Sequence, residues 1–260
     1  MNYNKEFDEL YARLEDIMAR AARGEVGVSA FLSPRELHYA EVFLRSSGAE
    51  FLTFGGYSEA ERQRIYLLPE YLSGIEDISS MQDYGFDDGI SAVRVRGSGY
   101  EQLSHRTFMG SLLGLGLKRS VIGDIVITAE NEAVVLCDSS IAEFLLAHWE
   151  KAGRDKISLS VIRLGADFAP ARSYAPISDT VASPRLDCTV AALCSLSREK
   201  AREAVISGLV ELDYECETRP DREVTPPSLI SVRGYGKFRV LSLADKTKKG
   251  RYRLVAEKFL

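Results

Sequence analysis

Apolar residues at Phe7, Leu10, Tyr11, Leu14, Ile17 and Met18 recur at the spacing that lines one side of a helix. The pattern predicts an amphipathic helix over 5–22. Ser33-Pro34-Arg35-Glu36 supplies a capping hydroxyl, a proline for the first helical position and an acid two residues beyond it. It starts a second helix that runs to about Ser46, and Gly48 stops it. EFLTF (50–54) reads as a strand, GGY as a turn, SEAERQR as a short helix and IYLLP as a second strand. This N-terminal α/β module covers 1–80. The polar, glycine-bearing SSMQDYGFDDG leads out of it.

A regular alternation follows over 81–165. ISAVRVRG (90–97) has strand periodicity and LSHRTFMGSLLGLGL (103–117) reads as a helix. GDIVIT (123–128) and EAVVLCD (132–138) are strands, SSIAEFLLAHWEKAG (139–153) a helix, and KISLSVIRL (156–164) a last strand. The order β-α-β-β-α-β is the ferredoxin-like split pattern. RNA-binding modules share that topology with many other proteins, so it assigns no function alone. The proline-bearing segment 166–184 reads as an extended linker or a strap hugging a domain. The last module, 185–260, opens with two short helices at about 187–195 and 197–207. Ser197 caps the second helix and Gly208 ends it. Strands follow near 209–213, 228–233, 237–243 and 251–258. The expected fold class is α+β in three small modules.

Charge changes this picture more than composition does. Apolar content of 45% and charged content of 27% are ordinary for a globular chain of 260 residues. No apolar run reaches the roughly 18 residues of a membrane span, and MNYNKEFDEL lacks a signal-peptide core. Cys137, Cys188, Cys194 and Cys216 form no CxxC pair and read as reduced, mostly buried thiols of a cytoplasmic protein. The net charge of -5 is unevenly spread. From Ser183 onward 15 Lys+Arg stand against 11 Asp+Glu, a net of +4, and the first 182 residues hold the other 18 and 27, a net of -9. A basic C-terminal module on an acidic body fits an anionic partner.

The stretch LSHRTFMGSLLGLGLKRSVIGDIVI (103–127) invites a phosphate-loop reading and fails it. Arg119 stands where a Walker loop needs serine or threonine, no strand precedes the glycines, and GxGxxG is absent. Gly110 and Gly114, four apart, predict close packing of the helix against a neighbour, with Gly116 near its end. The three histidines, 38, 105 and 148, have no ligand spacing, and no serine or cysteine sits in a nucleophile motif. No metal, cofactor or catalytic residue is expected. His105 reads as a helix-start residue that bonds backbone or RNA. Lys118 and Arg119 either complement the negative end of the helix dipole or, with His105 and Arg106, form a secondary RNA contact.

On the second C-terminal helix Arg198 and Arg202 lie four apart, while Ala201, Val205 and Leu209 take the apolar side. A solvated helix face and a phosphate-contacting face both fit these arginines. ADKTKKGRYRL gathers Lys246, Lys248, Lys249, Arg251 and Arg253, as a phosphate patch or a basic hairpin turn. The segments RLD (185–187), SREKAREAVISGLV (197–210) and LISVRGYGKFRV (229–240) resemble, in order and spacing, the S-four domain, a small αL-type RNA-binding fold. The resemblance implies an RNA face of Arg185, Ser197, Arg198, Lys200 and Arg202, flanked from the hairpin by Arg233, Lys237 and Arg239. Lys248, Lys249 and Arg251 would extend it. The chain departs from that pattern at ELDY (211–214), where the family has a Val-Asn-Gly turn, and at Pro227-Ser228, where it has Gly-Asp. The first departure adds acid near the expected RNA edge.

Over nearly its whole length the chain is also similar to the YlmH family of bacterial RNA-binding proteins. The similarity rests on FLSPRE (31–36), FGGYSEAERQRIYLLP (54–69) and the 103–127 stretch, with Thr107 in place of the family's usual acid. It implies a cytoplasmic, monomeric, non-enzymatic factor that meets ribosomal RNA and tRNA on large subunits stalled with peptidyl-tRNA. No membrane or DNA partner is implied. Two other readings compete. S-four domains also accompany pseudouridine synthases and methyltransferases, which need a catalytic aspartate motif or a glycine-rich loop after a strand. The aspartate of RLD sits at a helix start, where it is structural. A protein-interaction scaffold is the third reading. The central strands lack the exposed aromatics on VRVRG and VVLC that single-strand base stacking needs.

Overall fold

A computed structural model describes residues 7–82, 85–165, 167–169, 174–247 and 250–259 and shows mixed helix and sheet. The chain divides into two units, Met1–Ala171 and Arg172–Leu260. The first unit spans both the 1–80 and the 81–165 stretches.

In the first unit, α1 (Asp8–Ala21) buries Leu10, Tyr11 and Leu14 from its apolar stripe. α2 (Pro34–Ser46) starts at a capping box. The Ser33 hydroxyl accepts from Glu36 N–H, and the Glu36 carboxylate accepts from Ser33 N–H at 2.7 Å. Strands β1 (Gly27–Val28), β2 (Phe51–Phe54) and β3 (Arg64–Leu67) form an antiparallel sheet in the order β1-β3-β2. Every β3 residue is buried. Ile65 and Leu67 pack with Leu14 and Leu44. Tyr66, on the other side, packs with Leu72 and with Ile78 and Met81 of α3 (Ile78–Gln82). Gly27 is required where β1 meets α1, because a Cβ there would lie 2.4 Å from the Ile17 carbonyl oxygen.

The second sheet holds β4 (Ile90–Gly97), β5 (Ile122–Ala129), β6 (Glu132–Asp138), β7 (Lys151–Ala152) and β8 (Asp155–Ile162). Its order is β5-β6-β4-β8-β7, with every neighbouring pair antiparallel. α4 (His105–Gly114) follows β4 and α5 (Ala142–His148) follows β6. Phe108, Leu112, Leu145 and Trp149 pack with Val93, Val95 and Val135 on one face. α5 is shorter than the pattern predicts. Trp149 ends it, and Lys151 and Ala152 pair with β8 across a turn at Gly153, whose φ is +63°. Gly110 and Gly114 do not pack closely. Phe108, Met109 and Leu112 face the core, which turns both glycines to solvent, where a Cβ would meet nothing within 4 Å.

The opposite face of this sheet is closed by the N-terminal stretch. Tyr57 and Ala60 pack with Ala92, Val126, Val134 and Leu136. SEAERQR, expected as a helix, is instead a turn bent onto β5. The Asp124 carboxylate accepts from Glu61 N–H at 2.7 Å, Arg62 N–H at 3.0 Å and the Tyr57 hydroxyl at 2.6 Å. These bonds hold backbone N–H groups that a helix would otherwise use. The Arg62 guanidinium donates to the carbonyls of Ile122, Arg119 and Phe31. Arg64, buried in β3, donates to the Ser29 and Gly89 carbonyls and pairs with Asp138 at 2.9 Å. Its guanidinium also lies over the Phe31 ring. Burial alone would raise the Asp138 pKa, but hydrogen bonds from Ser140 and the charge of Arg64 hold it below the usual carboxylate range.

In the second unit, β9 (Tyr174–Val181), β10 (Val210–Leu212), β11 (Glu215–Cys216), β12 (Ser228–Val232), β13 (Gly236–Lys246) and β14 (Tyr252–Phe259) form one antiparallel sheet. The order is β11-β10-β12-β13-β14-β9. Helices α6 (Leu186–Leu193) and α7 (Arg198–Ile206) bury Leu186, Val190, Ala201 and Val205 with Val210, Ile230, Phe238, Val240 and Leu254. Of the two readings of 166–184, Tyr174–Val181 follows the strap and not the linker, pairing along β14 as an edge strand. Val181 is buried and Ile177 packs against the core, and an edge position tolerates Pro176. The ELDY departure makes the β10–β11 turn, with φ of +49° at Asp213 and +69° at Tyr214. Such turns favour Asn-Gly. Asp213 faces inward, its carboxylate accepting from Leu229 N–H at 2.7 Å.

Replacing Arg64 with alanine strands the Asp138 carboxylate and should lower stability by about 3 kcal/mol. Urea denaturation followed by Trp149, the single tryptophan and a core residue of the same unit, measures it. Because the folded pKa of Asp138 is depressed, this pair's contribution is full above the ordinary aspartate pKa of about 3.9 and fades as pH falls through the lower folded value.

Candidate nucleic-acid interface

Two cationic side chains of the second unit, Arg185 and Arg198, meet at one carboxylate. Asp187, in the first turn of α6, has a side chain only 1% exposed. It accepts two parallel bonds from the Arg185 guanidinium, both at 3.0 Å, and one from Cys188 N–H at 2.9 Å. Arg198, the first residue of α7, reaches the same carboxylate at 3.5 Å. Burial would raise the Asp187 pKa, but the bonds and charge of Arg185, with Arg198 behind them, hold it below the usual range. Two guanidinium groups from separate segments are thereby fixed side by side. Both stay open to solvent, 38% for Arg185 and 63% for Arg198.

The sequence reading missed two further arginines here. The loop before β12 clasps the start of α6, with Leu186 N–H donating to Arg222 C=O and Asp187 N–H to Pro220 C=O. That brings the backbone at Pro220 and Arg222 against the start of α6, while the side chains of Arg219 and Arg222 pair with Glu217 at 2.7 and 3.8 Å. The Arg219 bonds pull the Glu217 pKa down to about 2. Little in the sequence signals these two arginines, because in ETRPDRE they are outnumbered by three acids.

The other expected residues divide. Ser197 caps α7, accepting from Lys200 N–H at 3.3 Å. Arg198, Lys200 and Arg202 are exposed. Helical spacing puts Arg198 and Arg202 on one flank and Lys200 on the other, with Glu199 and Glu203 between them. Arg233 is exposed in the β12–β13 turn, its N–H donating to Leu209 C=O. Lys237 and Arg239 do not flank the helix face. They alternate with Phe238 and Val240, which the helices cover, so they stand on the opposite face of the sheet. There both cations lie over the Phe259 ring at 5.2 Å, with Tyr214 beside Lys237 and Tyr174 beside Arg239. Arg251 is tied to the β9 edge through the Thr180 hydroxyl at 2.9 Å and carbonyl at 2.6 Å. Lys248 and Lys249 lie outside the described residues.

In the first unit, His105 and Arg106 open α4 and are exposed, as are Lys118 and Arg119 beyond its end. α4 is about 15 Å long, so the two pairs stand a helix length apart. Thr107 has a local structural role. It closes a capping box with Ser104, whose hydroxyl accepts from Thr107 N–H at 3.2 Å. Among the described residues, no group of three His, Cys, Asp or Glu side chains is arranged to hold a metal. No helix among the described residues is long and apolar enough to cross a membrane.

Asp187→Asn, which keeps shape and removes charge, should lower stability by about 2 kcal/mol at pH 7. The depressed folded pKa makes the aspartate's advantage full above the ordinary carboxylate range and lost as pH falls through the folded value. Urea midpoints of the two proteins, followed by circular dichroism, should therefore converge on acidification.

Comparison with known proteins bears on these features. Residues 6–72 match a family model described as "YlmH, N-terminal", and residues 89–165 match one described as "Putative RNA-binding domain in YlmH". The chain is 32% identical over 229 residues to the Bacillus subtilis "Ribosome-associated protein quality control protein P2", covering 88% of this chain and 85% of that one. A solved structure titled "Cell division protein ylmH from Streptococcus pneumoniae" superposes with a TM-score of 0.50 at 17% identity, over 62% of this chain and 94% of that one, a likeness of fold. The length and level of the Bacillus match, joined to two domain models in the same order, make this chain a member of the YlmH family.

Proposed function

We propose that the protein is a non-enzymatic RNA-binding factor of ribosome-associated quality control. It holds structured ribosomal RNA and tRNA on the large ribosomal subunit, as a monomer in the cytoplasm. The second unit acts as an S-four domain. The observation that carries this reading is the pair of solvent-facing arginines, Arg185 and Arg198, fixed on the buried Asp187. A guanidinium already held in place loses little freedom on meeting a phosphate. Arg202, four residues along the same flank, continues the row, and the loop that carries Arg219 and Arg222 meets the start of α6. Such a surface reads shape and phosphate position rather than base identity. The closed outer face of the central sheet argues against base stacking in the manner of an open RNA-recognition sheet, because Tyr57 and Ala60 cover it. The name of the Bacillus relative supports the ribosomal setting.

Arg198→Ala combined with Arg202→Ala should weaken binding to tRNA and to purified large subunits at least about tenfold at moderate salt. It should also reduce the salt-dependence slope by about 2. Filter binding across a salt series reads both quantities. Unchanged affinity and slope would sink the proposal.

A further inference from the structure

The three-stranded sheet of the first unit has β2 at one edge, and among the described residues no strand pairs with the outer side of β2. β3 is central and β2 pairs with it alone. Leu68 N–H donates to Glu50 C=O at 3.0 Å, and Phe51 stands opposite Leu67. This register assigns the β3-facing backbone bonds to Glu50, Leu52 and Phe54. The N–H and C=O groups of Phe51 and Thr53 point the other way, and among the described residues none of these four groups has a backbone partner. Proteins normally blunt such an edge by keeping it short or with a lysine, a proline or a bulge. FLTF is short, at four residues, but carries no lysine, proline or bulge, and its pairing with β3 is regular.

A groove of about 760 Å³ runs along this edge. Its far wall is the segment from Gly74 to Ser79. Glu50 fixes that wall, accepting from the Ser73 hydroxyl at 2.8 Å and from Gly74 N–H at 3.2 Å. The β2 side chains along the groove are half-buried, Phe51 toward one face of the sheet and Leu52 and Phe54 toward the other. The rim is acidic. Glu41, Glu50, Glu76 and Asp77 face a single cation, Arg45, which is already paired with Glu41 at 3.1 Å.

We infer that this groove is a docking site for an extended, basic segment of a protein partner, which adds a strand to β2. Main-chain bonds to Phe51 and Thr53 supply the grip, as in other cases of strand addition. Lysine or arginine side chains of the added strand meet the carboxylate rim. The charge chooses among occupants. RNA phosphates are repelled by the four carboxylates. Two copies of this chain joined edge to edge would set two such rims against each other. The inference does not depend on RNA binding by the second unit.

The test uses the full chain and a capped peptide of alternating lysine and valine. Three controls accompany it: the glutamate–valine counterpart, the lysine–valine peptide N-methylated at alternate residues so that it cannot extend a sheet, and oligouridine. Amide hydrogen exchange by NMR locates binding and fluorescence anisotropy measures it. The lysine peptide should slow exchange of the Phe51 and Thr53 amides at least about tenfold, and the N-methylated and glutamate peptides should bind at least about tenfold more weakly. Glu76→Lys changes an exposed rim residue and leaves the sheet intact, and it should weaken the lysine peptide several-fold. Protection centred elsewhere, equal binding of the N-methylated peptide, or protection of the same amides by oligouridine overturns the inference.

Discussion

A carboxylate taken out of water must be met by partners held in place, because a lone buried charge costs several kcal/mol. This chain uses that constraint repeatedly, and three of its carboxylates tie distant segments together. Asp124 and Asp138 draw the N-terminal stretch onto the central sheet, through backbone N–H groups, Tyr57 and Arg64. Asp187 draws the segment before α6 and the first turn of α7 together through Arg185 and Arg198. Apolar burial supplies the bulk of each core, but it is non-directional. The paired charges decide which surfaces meet and in what register.

The same device serves two ends. In the first unit both arginines are spent inward, on carbonyls and on Asp138, and the result is a closed sheet face. In the second unit the arginines are held from behind by Asp187 and keep their outer edges in water. The first arrangement builds a scaffold and the second builds a surface. The matched YlmH models cover the first unit alone, and the one over 89–165 carries an RNA-binding description, while the cationic cluster on Asp187 lies in the second unit.

Local patterns were legible wherever a short-range rule governs. The stripe of α1, the Ser33 capping box, the alternation of β4 and the cap and stop of α7 follow from residues within a turn or two of each other. What the sequence concealed depends on partners far along the chain. SEAERQR looks helical until Asp124, about sixty residues away, takes its N–H groups. The 166–184 segment looks like a linker as readily as a strap because its partner strand β14 comes some eighty residues later. Gly110 and Gly114 suggested tight packing, yet the core-facing side of α4 was set by Phe108 and Leu112. At the candidate interface, the resemblance singled out Arg185 and Arg198. It could not show that strand alternation sends Lys237 and Arg239 to the opposite face, nor that the loop carrying Arg219 and Arg222 meets the start of α6.

β9 carries a topological consequence. Tyr174, where the chain comes into the second unit's sheet, stands directly opposite Phe259, where the last described strand leaves it. The unit is therefore a nearly closed loop of chain whose two open ends are cross-strand neighbours. A module of that form can be carried by a host at a single point of attachment without stretching either end. It is suited to insertion into a surface loop, and to rejoining of its ends with a new opening elsewhere, while the arginine cluster on Asp187 keeps its geometry.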